Sequence, residues 1–230
     1  MLKQVNVREL RPENIQGVLF DMDGLLLDSE RLYTQAFRAA CAEFDQPYKE
    51  DVWLKCVGTT AALSRQIIAD GFGADFPLDA VLRRYRERFN ELQEQGINPM
   101  PHVPELLAQL HAWRLPLGLV TSTARTLAGR KLYRARLGEY FSIRVCGRET
   151  RVGKPNPDPY LRGASLLGLK PEHCLVLEDS DNGVRAGVGA GAQVIQVPDQ
   201  VAPAPEIVEI GHTIHQSLGE TLEVLRRSRE

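Results

Sequence analysis

Short unbroken apolar runs punctuate the chain, each closed by a polar or glycine-rich turn. They fall at 17–20, 117–120, 143–146, 174–177 and 194–197. Each has strand length, and most are rich in Val, Ile or Leu without alternation, the pattern of parallel strands buried on both faces. Around the later runs, helix-like stretches cover 103–113, 124–137, 158–167 and 182–189. Strands alternating with helices predict crossover units and a parallel sheet. The fold class is therefore α/β, with a Rossmann-like core. The stretch "HTIHQS" at 212–217 offers one more short strand.

One segment breaks this rhythm. From 32 to 95 there is no convincing strand. "LYTQAFRAACAEF", "AALSRQIIADGF" and "LDAVLRRYRERFNELQEQG" carry apolar residues at helical spacing instead. "GINPMP" at 96–101 then reads as a linker, with Pro99 and Pro101 as breakers. A helical insert over 32–98 thus divides a core made of 1–31 and 99–230.

Composition narrows the classes. Of 230 residues, 43% are hydrophobic and 25% charged, ordinary for a globular protein, and the formal charge is −2. That balance points away from nucleic acid and from membrane surfaces as partners. No segment approaches the roughly 18 apolar residues of a membrane span, and "MLKQVNVREL" lacks the apolar stretch of a signal peptide. Cys41, Cys56, Cys146 and Cys174 form no C-x-x-C pair and no metal-ligand spacing with His. The expectation is a cytoplasmic, monomeric protein with reduced cysteines.

The chemistry gathers where strands end. In an open parallel sheet, ligands bind beyond the carboxyl ends of the strands. Asp21 and Asp23 follow the first run, Thr121 and Ser122 the second, Lys154 lies in the loop after the third, and Glu178 and Asp179 follow the fourth. Each has an ordinary alternative: turn residues for the first pair, a helix cap for the hydroxyls, a solvated charge for Lys154, and a dipole-favoured pair for Glu178 and Asp179. Their joint placement favours one crevice. Clustered carboxylates call for a cation, and all-oxygen ligation suits a hard ion such as Mg²⁺. A lysine and a hydroxyl beside it suit a phosphate, whose transfer needs mainly positioning and charge neutralisation. A carboxylate can attack phosphorus while a second one moves protons.

These residues carry a resemblance. "DMDGLLLDSE", "VTST", "GKPNPDPY" and "LEDSDNGVRAGVGAGAQVI" look like the successive motifs of the haloacid dehalogenase-like superfamily of phosphohydrolases, in the branch with a helical cap inserted after the first strand. The likeness runs from about residue 17 to 198. It implies Asp21 as the nucleophile that becomes aspartyl phosphate, and Asp23 as general acid and then base. It implies Thr121, with Ser122 beside it, and Lys154 as phosphate-binding. Mg²⁺ would be held by Asp21, the Asp23 backbone carbonyl, Asp179 and Glu178. The insert would be a cap closing over substrate. Gly58 matches a cap glycine, which makes Lys55, Thr59, Ser64 and Arg65 substrate-contact candidates.

Departures refine this. Dehalogenases of the superfamily lack the second acid of the first motif, whereas Asp23 is present. Mutases of the beta-phosphoglucomutase type carry His where this chain has Tyr33, and Arg where it has Ala61. The expected function is an Mg²⁺-dependent phosphatase of a small phosphorylated metabolite, a sugar phosphate or nucleotide-like monoester. A sugar-phosphate mutase is the enzyme alternative, and a non-catalytic binding protein the alternative of another class. His102 replaces a glycine common in relatives. "GVGAGA" reads as a helix end and tight turn, not a dinucleotide loop. "RRYRERF" reads as a solvated helix face, and His212 and His215 as surface or strand residues.

Overall fold

The computed structural model describes residues 10–57, 59 and 61–229. It divides into two compact units, residues 28–98 and the remainder on either side of them. The larger unit holds a six-stranded sheet, ordered β3-β2-β1-β4-β5-β6. Its strands are β1 Gly17–Phe20, β2 Leu117–Ala124, β3 Ile143–Gly147, β4 Cys174–Glu178, β5 Gln193–Gln196 and β6 Thr213–Ile214. Every pairing is parallel. β1 is central, and the chain builds outward from β2 to β3 before returning to its other side through β4. That reversal is the topological switch point where such sheets hold ligands.

Register sets the site. Phe20 lies opposite Leu119 of β2 and Leu177 of β4. The next residues of the three strands are therefore level at the carboxyl edge: Asp21, Val120 and Glu178. The Asp21 amide donates to the Leu177 carbonyl at 3.0 Å, which ties the carboxylate-bearing residue to the sheet.

Helices α5 Val103–Ala112, α6 Arg125–Arg134, α7 Asp158–Leu167, α8 Asp181–Gly189, α9 Pro205–Val208 and α10 Leu218–Arg227 complete this unit. Leu19, Val120 and Val176 pack with Tyr160, Ala164 and Val184 in one buried cluster. Gly163 lets α7 approach the sheet, since a Cβ there would meet Val120 at 3.0 Å and Leu19 at 3.1 Å.

Some boundaries differ from the sequence reading. β2 continues four residues past 120 and carries Thr121, Ser122 and Thr123 as strand before running into α6. Its register with β3 shifts between Val120 and Ala124, and Gly147 opposite leaves room for the Ser122 carbonyl. Helix α10 was not anticipated, although buried Leu218, Leu222 and Leu225 recur at helical spacing and Ser217 accepts from the Glu220 amide as its cap. His215 is neither on the surface nor in a strand: it is buried just after β6, and its Nδ1 lies 2.9 Å from Thr221 Oγ1. His102 stands in the left-handed region, φ 66°, just before α5. Glycine occupies that conformation without strain, whereas a side chain costs about 1–2 kcal/mol.

The smaller unit is helical: α1 Ser29–Glu43, α2 Glu50–Leu54, α3 Ala61–Phe72 and α4 Leu78–Gln95. Its core is aromatic. Phe37 stacks on Trp53 with ring centroids 4.4 Å apart, and Tyr33 stacks on Phe89 at 4.0 Å. In "RRYRERF" Arg83 and Arg86 are exposed, whereas Arg84 and Arg88 are half-buried and each paired to Glu43.

Candidate active site

The site starts from a strand that cannot continue. β1 is fully buried, so its apolar run ends where the chain meets the sheet edge. Asp21 comes next, 8% exposed. The chain then folds back on itself, with the Leu26 and Leu27 amides donating to the Met22 carbonyl at 3.0 Å. Gly24 makes that turn possible. Its φ is +84°, and a Cβ there would collide with the Asp179 carboxylate. The glycine thus serves the backbone and also lets a second strand-end carboxylate come close.

Lys154 sits at the centre of the cluster. Its Nζ donates to Asp21 Oδ1 and Glu178 Oε1, each at 2.5 Å, and to the Val120 carbonyl at 2.9 Å. Burial works against the ammonium, but the two carboxylates outweigh it and hold the Lys154 pKa above the ordinary lysine value. The Asp21 pKa is raised too, but there the rise favours the neutral form. Burial lifts its carboxyl to about 7; the Lys154 charge opposes that lift, and Glu178 adds to it. One lysine does not balance the acids present.

Such an excess of acid suits a cation. Ligand atoms of Asp21, Glu178 and Asp179 lie within 4.8 Å of one another. All are oxygens, the donor set of a hard divalent ion. The residues present fit Mg²⁺. Glu178 is held from several sides. It is fully buried, its Oε1 also accepts from Tyr160 Oη at 2.5 Å, and its Oε2 accepts from Ser180 Oγ at 3.1 Å. Gly183, in the first turn of α8, has no side chain where one would overlap the Glu178 carboxylate.

Thr121 lies beside this group, 5% exposed, and its Oγ1 accepts from the Thr123 amide at 3.0 Å. Ser122, the next residue, is exposed. Asp23 is held by residues the sequence reading did not single out. Its Oδ2 accepts from Thr123 Oγ1 at 2.6 Å, and its Oδ1 from Lys131 Nζ at 2.5 Å. Tyr160 and Ser180 were also not singled out. Lys131 had a signal: with buried Ala128 and Leu132 it falls on the inward stripe of α6, where an unpartnered charge does not belong.

Four further expected residues lie in the helical unit. Lys55 is exposed. Thr59 Oγ1 donates to the Cys56 carbonyl at 2.8 Å and lies 2.7 Å from Ser64 Oγ. Arg65 is paired with Asp79 at 2.8 Å. Gly58 falls outside the described residues.

Comparison with known proteins follows the same lines. Residues 18–197 match the model of the family described as haloacid dehalogenase-like hydrolase. A phosphorylated carbohydrates phosphatase of Thermotoga maritima is 33% identical over 181 residues, 79% of this chain and 84% of the relative. The phosphoglycolate phosphatase of Salmonella typhi is 32% identical over 200 residues, 78% of this chain and 79% of the relative. Among solved structures, a "putative beta-phosphoglucomutase" from Thermotoga maritima superposes with a TM-score of 0.79 at 30% identity, covering 93% of this chain and 99% of the other.

Proposed function

The chain belongs to the haloacid dehalogenase-like hydrolases, and on that premise we propose that it hydrolyses a small phosphate monoester, a sugar phosphate or nucleotide-like compound, through an aspartyl phosphate on Asp21. The observation that carries this is the Lys154 bridge between Asp21 and Glu178 at the switch point of the sheet. It sets a nucleophile, a fixed positive charge and an oxygen-rich cation site together. Relatives named as phosphatases support the reaction class.

Each residue then has a task. Ionised Asp21 attacks phosphorus in line with the leaving oxygen. Lys154 and the Thr121 hydroxyl face the phosphoryl oxygens and offset their charge. Asp23 gives a proton to the departing alkoxide as the P–O bond breaks, and then takes one from the water that hydrolyses the aspartyl phosphate. Mg²⁺ would be held by Asp21, Asp179, the Asp23 backbone carbonyl and Glu178, and it would supply further charge neutralisation there. The helical unit, residues 28–98, takes the role of a cap that selects substrate, with Lys55, Thr59, Ser64 and Arg65 as contact candidates.

Tyr33 weighs against a mutase. It stands where mutases of the resembling type carry a histidine, and its ring stacks within an aromatic core. The test is release of inorganic phosphate from p-nitrophenyl phosphate and from a panel of sugar phosphates, nucleotides and phosphoglycolate, with Mg²⁺ or with chelator. Metal-dependent release supports the reading. Silence across the panel ends it, and rapid interconversion of hexose 1- and 6-phosphates selects the mutase.

A further inference from the structure

Lys131 is a buried lysine with no place in the chemistry above. It is 2% exposed and lies on the inward face of α6, beside Ala128 and Leu132. Moving an ammonium out of water costs several kcal/mol unless it meets a well-placed partner. Its partner is Asp23, 108 residues away in sequence, at 2.5 Å. Thr123, at the end of β2, reaches the other oxygen of the same carboxylate at 2.6 Å. Two donors from two elements therefore grip the two oxygens of one side chain.

From this we infer that Lys131 and Thr123 are positioning residues that fix the rotamer of Asp23 for proton transfer. The inference rests on Asp23 acting as acid and base, as proposed above. An aspartate in a strand-end turn has two side-chain torsions to order, and a proton donor displaced by about 1 Å loses much of its effect. Holding Oδ1 from the helix and Oδ2 from the strand removes both freedoms. A protonated carboxyl keeps acceptor capacity on both oxygens. The grip therefore persists while Asp23 carries a proton to the leaving oxygen, and while it takes one from water. Lys154 performs a different task, since its contacts are to Asp21, Glu178 and Val120.

A lysine that only balanced charge would affect all phosphate esters alike. A residue that aims the acid matters most where the leaving group needs a proton. The readout is kcat/KM, which reports the steps through transfer to Asp21, for p-nitrophenyl phosphate and for glycerol 2-phosphate. The first leaves as a weakly basic phenolate, and the second as a strongly basic alkoxide. Lys131→Met is expected to lower kcat/KM for the alkyl ester by about 100-fold and for the aryl ester by less than about 10-fold, following the usual worth of general acid catalysis. Thr123→Val removes one hydroxyl with little change of shape and should show the same divergence more weakly, whereas Thr123→Ser should restore wild-type selectivity. This second pair decides the matter if Lys131→Met does not fold. Equal losses on both esters, or a loss confined to KM, overturn the inference and leave the hydrolase reading standing. Wild-type protein inactive on both esters and silent across the phosphate panel above sinks the hydrolase reading and the inference with it.

Discussion

At the scale of single residues, Asp21 and Lys154 carry opposite burdens. Burial disfavours the Asp21 charge, so its folded-state pKa is raised to about 7. An amide imitates the neutral form. Asp21→Asn should therefore abolish turnover without lowering the melting temperature in chelator, measured by calorimetry near neutral pH. Activity retained in that variant removes Asp21 as nucleophile. Lys154→Ala acts the other way. It leaves Glu178, 0% exposed, without its cation, and breaking a buried pair by removing one partner costs about 3–5 kcal/mol. A urea unfolding curve shifted by less than about 1 kcal/mol would mean that Glu178 finds compensation elsewhere. His102 makes a smaller point. Its residue type was visible in the sequence, but its positive φ was not, because a backbone angle at a helix start is set by the chain on both sides.

At the scale of elements, the helix following β4 braces the site. Ser180 accepts from the Gly183 amide at 3.1 Å as the cap of α8, and its hydroxyl also donates to Glu178 at 3.1 Å. One side chain thus joins the helix start to the buried carboxylate. Ser180→Ala should cost about 1 kcal/mol through the lost cap, plus a further loss at Glu178, so its unfolding free energy should fall by more than that of Ser217→Ala, whose hydroxyl caps α10 on an exposed turn. Equal losses would separate the cap from the site. The strands themselves were legible: β1 and the first four residues of β4 are short apolar runs bounded by polar turns, the pattern of buried parallel strands. The far end of β2 was not, because "TSTA" is polar and joins the sheet only through β3.

For the whole molecule, pH links the site to stability. A carboxyl whose pKa rises from 3.8 to about 7 on folding contributes stability that is complete below pH 3.8 and lost as pH climbs through about 7. A divalent cation needs the ionised form and competes with that proton. The rise in melting temperature on adding Mg²⁺ should accordingly be larger at about pH 8 than at about pH 5.5. A rise independent of pH would place the ion away from Asp21. The thiols report the core in another way. Burial raises Cys41, Cys56 and Cys174 to about 11. In native protein at about pH 8 a thiol reagent should leave them unmodified, and in denaturant it should modify them quickly.

The succession of parallel strands along the chain, the helical stretch after β1 and the acids that follow β1 and close β4 were legible in the sequence alone. Periodicity and the close of an apolar run are local signals, and a parallel sheet converts them directly into position. Only the tertiary structure decided which charges meet. It joined Lys131 to Asp23 and Tyr160 to Glu178, left Ser122 exposed and brought Gly24 against Asp179. Those pairings depend on where an inward helix face lands on the sheet, a distance that no local pattern encodes.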